Sequence, residues 1–537
     1  MAATRVGHPR YSAGTDASIG AANALNHREQ ALAFVIASIR TDWMRVRLSI
    51  GHASRAAAGW LLVSALFYAP WDDGGTSASA IRHLDWILGA MLVLWAVSAL
   101  IRQVGRPTGS PQTRARLETE ECEQVAFGDS RTREFGSWPL LALGLPLLLL
   151  GWGMALNAHA VFDADYSIFL PLTSPAPNAP GAVDYFLSVA SMWRVATLLG
   201  CIWVTADLAQ DEKWLLKIWW AIGLAGGSIA LLGLVQKATG AELPFWQPLE
   251  IGEPPVSTFF ASYYYHGNAG AYLNLVLPAV LGLAFRYVTR PANPGARALW
   301  LTLSVIMIVA VASDTSRMGQ FLAALMVLIL LGLSAGKVFR RVRHLEVKTA
   351  LIALLVGGVA LWAIVQTSHL DRSLGRWDRF QSTWTHDARW LVDQVAIHAL
   401  PEAGATGFGP GTFSVVFPSF LREAEQRAQG SWLFLHNDYL QTLLEWGWIG
   451  GALWAGIFFG GMIAALRSLT NKGSVSRWYP RQRLLLPLVL VALAGVAIHA
   501  AVDFPLQISS LQLYVATYLG ICWGSRGWGK ARMQDEG

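Results

Sequence analysis

Charge and cysteine are both scarce in this chain. Only 14% of its 537 residues are Asp, Glu, Lys or Arg, well below what the surface of a water-soluble protein carries. Cysteine occurs three times, at Cys122, Cys201 and Cys522, with no spacing that suggests a disulfide frame or a zinc site. The sequence has no P-loop, dinucleotide fingerprint, zinc-ligand pair or solenoid repeat, so no metal and no cofactor are expected. The glycine-rich run from Gly404 to Gly411 lacks the Lys-Ser/Thr ending of a nucleotide loop. No apolar stretch lies near Met1, so no cleavable signal peptide is expected.

What is abundant is apolar sequence, at 54% of the chain. Runs of bilayer length read as transmembrane helices, near 56–70, 84–101, 137–155, 187–207, 214–236, 261–285, 298–313, 318–335, 349–367, 438–466, 484–500 and 508–524. The expected fold is an all-α polytopic membrane protein of about twelve spans, because lipid admits only helices or closed barrels. Arginine and lysine concentrate in alternate connections, for example Arg102 to Arg116, Arg286 to Arg297 and Lys337 to Lys348. The positive-inside rule makes these cytoplasmic. The net charge of +6 is thereby a topology signal, and no nucleic-acid partner is expected. The resulting division is a cytoplasmic tail at 1–55, nine spans over 56–367, a large periplasmic loop at 368–436, three spans over 437–525 and a cytoplasmic tail at 526–537.

The large loop is expected to be ordered. Arg379 to Leu400 has helical composition with an aromatic stripe (Phe380, Trp384, Trp390) stopped by Pro401. A turn at G-F-G-P-G-T-F (407–413) needs φ > 0 at its glycines, and a second amphipathic stretch covers Pro418 to Ala428. The loop holds Arg372, Arg376, Arg379, Arg389, Arg422 and Arg427 but no lysine. Arginine offers a planar donor fork to phosphate oxygens and keeps its charge when desolvated.

Polar residues inside the spans fall at the outer ends in this topology: Arg194, His266, Asn268, Asp314, Arg317, His499 and Asp503. Intramembrane charge usually marks function. Arg194, Arg317 and Arg389 suit a diphosphate clamp at the outer interface, although Arg194 also suits a structural pair with an acidic residue. His436 opens a helix on which Asp438, Gln441 and Glu445 share one face. It either caps that helix or accepts the proton of an attacking hydroxyl. Glu445 is expected to orient its neighbours, and His499 with Asp503 (i, i+4) to form a structural pair.

The motif H-N-D-Y-L-Q-T-L-L-E-W-G-W-I-G (436–450), the glycine turn at 407–413, T-S-R-M-G-Q at 315–320 and the segment His266 to Pro278 resemble the O-antigen ligase or Wzy-C superfamily. The resemblance covers roughly 255–525 and implies a metal-independent, inverting glycosyltransferase of the membrane-embedded C type (GT-C). Such an enzyme sits in the bacterial inner membrane with its active site facing the periplasm. The implied donor is an undecaprenyl-diphosphate-linked glycan, and the implied acceptor is lipid A core or a growing glycan. By the same resemblance His436, Arg317 and Arg389 are the catalytic candidates. Arg194, His266, Asn268, Asn437, Tyr439 and Glu445 are the candidate substrate contacts. The segment H-A-A-V-D-F-P-L-Q at 499–507 looks more like polymerase members, which leaves ligase and polymerase both open. A membrane transporter is the reading from a different class. It calls for repeat symmetry and broken helices near the midplane, whereas no repeat is evident and the polar residues gather at one face. A scaffold for cell-wall assembly explains fewer of these residues.

Overall fold

The computed structural model describes residues 46–104, 138–173, 175–248, 258–289, 293–342, 388–421 and 432–528, together with Trp43, Gly375 and Trp377. Most of the N-terminal tail, the expected span 349–367, the aromatic residues Phe380 and Trp384, and the loop arginines Arg372, Arg376, Arg379, Arg422 and Arg427 lie outside the described residues. The chain separates into two compact units, Met1–Ala57 with Val93–Ala126, and Ala58–Leu92 with Phe127–Gly537. In the first, Gly51 faces the Ile101 side chain so closely that a Cβ would lie 3.2 Å from it. The second holds His436, Asp503, Arg389, Arg317 and Arg194.

The apolar runs fold as helices: α1 (46–71), α2 (Ala78–Val104), α3 (Trp138–Leu156), α4 (Tyr185–Leu208), α5 (Glu212–Ala238) and α6 (His266–Thr289). They continue with α7 (Pro294–Ser313), α8 (Arg317–Val342), the loop helix α9 (Ala388–Ala403), α10 (Asp438–Thr470), α11 (Pro480–His499) and α12 (Ser509–Gly524). Eight of them, α2 to α7 with α10 and α11, are long and apolar enough to cross a membrane. Their starts follow local chemistry. Asp184 accepts from Leu187 N at 2.7 Å, Asn293 from Ala296 N at 3.0 Å and Asn437 from Leu440 N at 3.3 Å, each satisfying a donor that the first turn leaves open.

Helix α6 is the axis of the bundle. Every residue from His266 to Val280 is buried, and it packs against α5, α7, α8, α11 and α12. Polar groups at that depth have no water to bond, so they bond each other. The Tyr514 hydroxyl on α12 donates to the Leu66 carbonyl on α1 at 2.7 Å and lies 3.1 Å from the Tyr272 hydroxyl. The Tyr518 hydroxyl donates to the Leu275 carbonyl at 2.8 Å, in the turn that precedes Pro278.

Two connecting segments pack against the bundle. Asn157 accepts from Ala176 N and donates to the carbonyls of Ala176, Ala179 and Pro180, folding the α3–α4 connection around an antiparallel hairpin, β1 (Ala160–Asp163) with β2 (Ile168–Pro171). The loop helix α9 docks on α10 through a small apolar core. Val392, Ala396, Ala399 and Ala403 meet Phe413, Phe417, Leu435 and Leu444. Trp390, the described member of the expected aromatic stripe, is about half exposed, and α9 docks through its aliphatic residues. Small side chains at that face let two helices approach closely. Pro401 does not stop the helix. It sits in the last turn, which runs on to Ala403, where few intrahelical bonds remain to be lost.

Candidate functional site

The motif helix and the glycine turn are two halves of one structure. Helix α10 breaks at Gly447, whose φ of 61° and ψ of −169° are open only to glycine. The break takes Leu444 and Glu445 carbonyls out of the helical ladder, and the glycine turn replaces the lost donors. Phe408 N donates to Leu444 O at 2.8 Å and Gly409 N to Glu445 O at 3.0 Å, while Ile449 N donates to Ala405 O at 3.0 Å. Gly407, Gly409 and Gly411 have positive φ, as expected from the sequence, and so does Gly404. A Cβ on Gly407 would lie 2.4 Å from the Glu445 backbone, and one on Gly447 would lie 2.3 Å from that of Ala405.

The buried polar face of α10 is then largely accounted for. Glu445 accepts from Gly411 N at 3.1 Å, Phe413 N at 3.4 Å and Gln441 Nε2 at 3.1 Å. Gln441 accepts from Leu435 N at 2.9 Å, which fixes the residue before His436. Asp438 accepts from Leu506 N at 2.8 Å and Gln507 Nε2 at 2.9 Å. These side chains therefore hold backbone, and by that grip they set the position of His436 and of the 503–507 segment.

The titratable centre forms where those two segments meet. His436 Nδ1 lies 2.9 Å from Asp503 Oδ1. The other carboxylate oxygen, Oδ2, accepts from the Tyr265 hydroxyl at 3.1 Å, and that hydroxyl accepts from Arg389 Nη2 at 2.8 Å. Phe504 stacks on Tyr265 with centroids 5.2 Å apart and meets the His436 ring edge-on at 4.8 Å, while Trp432 meets His436 from another side at 5.5 Å. Burial alone would raise the Asp503 carboxyl. The hydrogen bond to His436 and the charges of Arg389, His499 and His436 outweigh burial and lower it to about 2. A carboxylate ionised at neutral pH takes the Nδ1 proton of His436 as a hydrogen bond and leaves Nε2 with its lone pair.

Arg317, half-buried, opens α8 beside this centre. Its corner docks on α6 at Gly270, where a Cβ would lie 2.8 Å from both Asp314 Oδ2 and Ser316 Cβ. One turn earlier, a Cβ on Gly267 would lie 2.3 Å from Asp503 Oδ2. Glycine at both positions lets the Ser-Arg corner and the Asp503 centre share one face of α6. Asn274 Nδ2 donates to Gly319 O at 2.9 Å and holds the corner there, and Trp377 of the loop donates to Gln320 at 2.6 Å.

Arg194 lies elsewhere, on the wall of a cavity of about 470 Å³ between α4, α10 and α12. The cavity has a polar part, with Arg194, Gln441, Glu445, Gln507 and Gln512, and an apolar part further along the same helices, with Leu198, Ile202, Trp454, Phe458 and Leu519. Asp85 and Glu445 are the carboxylates that act on the Arg194 guanidinium, and its Nε has no hydrogen-bond partner among the described residues. Phe434 lines the cavity and stacks on Phe504 at 5.2 Å, and Phe504 in turn meets His436, so an aromatic pair links the cavity wall to His436.

The structure thus brings His436 and Arg389 together through Asp503 and Tyr265, and the corner that precedes Arg317 docks on α6 one turn from where Asp503 does. His266 is buried with its ring 4.6 Å from that of Tyr265, and Asn268 is buried in the same first turn of α6. Asn437 spends its side-chain oxygen on the cap of α10. Tyr439 lines the cavity and donates to Ala497 O at 2.6 Å. The expected His499–Asp503 pair is present at 3.9 Å, and Asp503 has a closer partner in His436, at 2.9 Å. Helix α11 ends at His499, so Asp503 lies in the connection beyond it, where it meets the start of α10. Asp503 and Tyr265 are the site residues that sequence reasoning left unassigned. Asp503 stood out as an outer charge, whereas Tyr265 is one of three consecutive tyrosines with nothing to single it out. Among the described residues no group of His, Cys, Asp or Glu is arranged to hold a metal ion.

Residues 302–455 match the family model described as O-antigen ligase (Wzy_C). The matched segment contains Arg317, Arg389, the glycine turn and His436, and it ends before Asp503. No curated protein matches the chain.

Proposed function

We propose, from the match of residues 302–455 to the O-antigen ligase (Wzy_C) family model, that the protein transfers a glycan from an undecaprenyl-diphosphate carrier to an acceptor hydroxyl. The reaction takes place at the periplasmic face of the bacterial inner membrane, on a scaffold of the GT-C type, and the favoured acceptor is lipid A core. The observation that carries this reading is the chain from His436 through Asp503 and Tyr265 to Arg389. It sets an imidazole near a guanidinium, the group types that suit proton acceptance and phosphate binding.

In the proposed step the acceptor oxygen attacks the anomeric carbon from the face opposite the diphosphate. A carbon–oxygen bond forms, the bond to the diphosphate breaks, and the carrier diphosphate leaves with the electron pair. His436 Nε2 takes the acceptor proton, and Asp503 stabilises the imidazolium that results. Arg389 and Arg317 stabilise the charge gathering on the leaving group. The prenyl tail occupies the apolar depth of the cavity between α4, α10 and α12, with Arg194 and Tyr439 at its mouth. Asn437 and Glu445 support this site by holding the backbone around it, and His266 and Asn268 lie in the first turn of α6, beside Tyr265. No cofactor or metal enters the scheme.

Polymerisation is the second reading, because Asp503 lies within the 499–507 segment that resembles polymerase members. The chemistry is shared and only the acceptor differs. Purified protein in detergent, given undecaprenyl-diphosphate-linked glycan with and without lipid A core, separates the two. Labelled lipid A establishes ligation, and a ladder of longer lipid-linked glycans establishes polymerisation. Failure to bind the donor at all defeats both and favours a transporter.

A further inference from the structure

Asp503 has two histidines within reach and serves only one. His436 Nδ1 is 2.9 Å from Oδ1, whereas His499 Nε2 stands 3.9 Å from Oδ2. His499 is 1% exposed, and neither of its ring nitrogens has a hydrogen-bond partner among the described residues. A buried imidazole in that state gains from any acceptor that turns toward it.

We propose that the Tyr265 hydroxyl is the positioning group that decides between the two, holding Asp503 on His436 and away from His499. Arginine only donates, so the Tyr265 oxygen must accept from Arg389 Nη2, and its single proton must go to Asp503 Oδ2. Accepting from a cation polarises the hydroxyl and makes it a better donor. Oδ2, the oxygen nearer His499, is thereby engaged, and Oδ1 stays on His436 with Phe504 N as its second donor at 3.1 Å. The tyrosine ring has little freedom. It stacks on Phe504 with 14° between the planes, meets His436 edge-on at 5.9 Å and lies against the His266 ring. The glycine at 267 leaves room for it, since a Cβ there would lie 2.3 Å from the Tyr265 ring. The charged and titratable groups facing Asp503 are then Arg389 from α9, His499 from α11, His436 and Asp438 at the start of α10, and Tyr265 beside α6.

This rests on the transferase reading, which wild-type protein tests first: absence of transfer to any acceptor defeats that reading before a variant is made. With undecaprenyl-diphosphate-linked glycan as the donor, Tyr265→Phe should lower kcat on the order of tenfold or more and leave the donor KM within about threefold. Adding His499→Leu, which removes the competing imidazole, should restore about half or more of the wild-type kcat. His499→Leu alone should leave kcat within about twofold of wild type. Tyr265→Gln, which keeps polarity but cannot stack, is the second variant, and its loss should be relieved by the same partner change. Wild-type kcat in Tyr265→Phe, or a loss that His499→Leu does not relieve, overturns the proposal.

Discussion

Asp503 is the residue on which the titratable centre turns, and its behaviour with pH is specific. Its folded carboxyl titrates near 2 against an ordinary value of 3.8, so the native state favours the deprotonated form. Its stabilisation is therefore complete above about pH 4 and is lost as pH falls from about 4 to 2. The amount is roughly 2 kcal/mol at neutral pH. Thermal unfolding in detergent should show Asp503→Asn less stable than wild type at pH 7, with the gap closing below about pH 3. A gap independent of pH would contradict the pairing. His436→Ala should abolish transfer while leaving the elution profile in detergent unchanged, because His436 sits at a loop end and not inside a packed helix. At this scale the sequence pointed to His436, Arg317 and Arg389 through motifs. It paired Asp503 with His499 and missed the closer His436, since 67 residues separate the two and the packing of α10 against α11 joins them.

At the scale of elements, the break in α10 and the glycine turn explain each other. The sequence required φ > 0 in the turn, and the turn has it. The break at Gly447 was not legible, because one glycine in an apolar helical run is usually tolerated without a kink. What decides it is the loop, whose Phe408 and Gly409 amides replace the missing helical donors. Gly447→Ala and Gly407→Ala should each cost on the order of 1–3 kcal/mol or more, from the glycine-only backbone together with contacts near 2.4 Å. They should lower kcat as well, because Glu445, Gln441 and the segment leading to His436 hang on the same lacing. Thermal unfolding and turnover measured on the same samples check this. An alanine variant as stable and as active as wild type would mean that the loop docks by other contacts.

For the whole molecule, hydropathy located the apolar helices well, and eight of those described are long and apolar enough to cross a membrane. Each expected span other than 349–367, which lies outside the described residues, coincides with a helix, because a run of bilayer length has few alternatives to helix in lipid. The arrangement of the polar outer ends was less legible. A one-dimensional topology puts Arg194 with the other outer cations, whereas the bundle sets it across the Phe434–Phe504 pair from His436, beside Asp85 and Glu445. Helix contacts, which hydropathy does not encode, make that division. The cavity gives a prediction at this scale. Ala455 is exposed and lines it, so Ala455→Trp should intrude without disturbing a core. Donor KM should rise about tenfold, as the loss of part of a prenyl contact predicts, with kcat little changed. An unchanged KM would place the tail elsewhere.

Transfer by purified wild-type and Asp503→Asn protein, with undecaprenyl-diphosphate-linked glycan binding measured alongside, is the most direct test of the site as a whole. Wild type should form a transferred product. Asp503→Asn should bind the donor within about threefold of wild type yet turn over on the order of a hundredfold more slowly. Equal turnover in the two proteins would show that His436 is not a base held by Asp503.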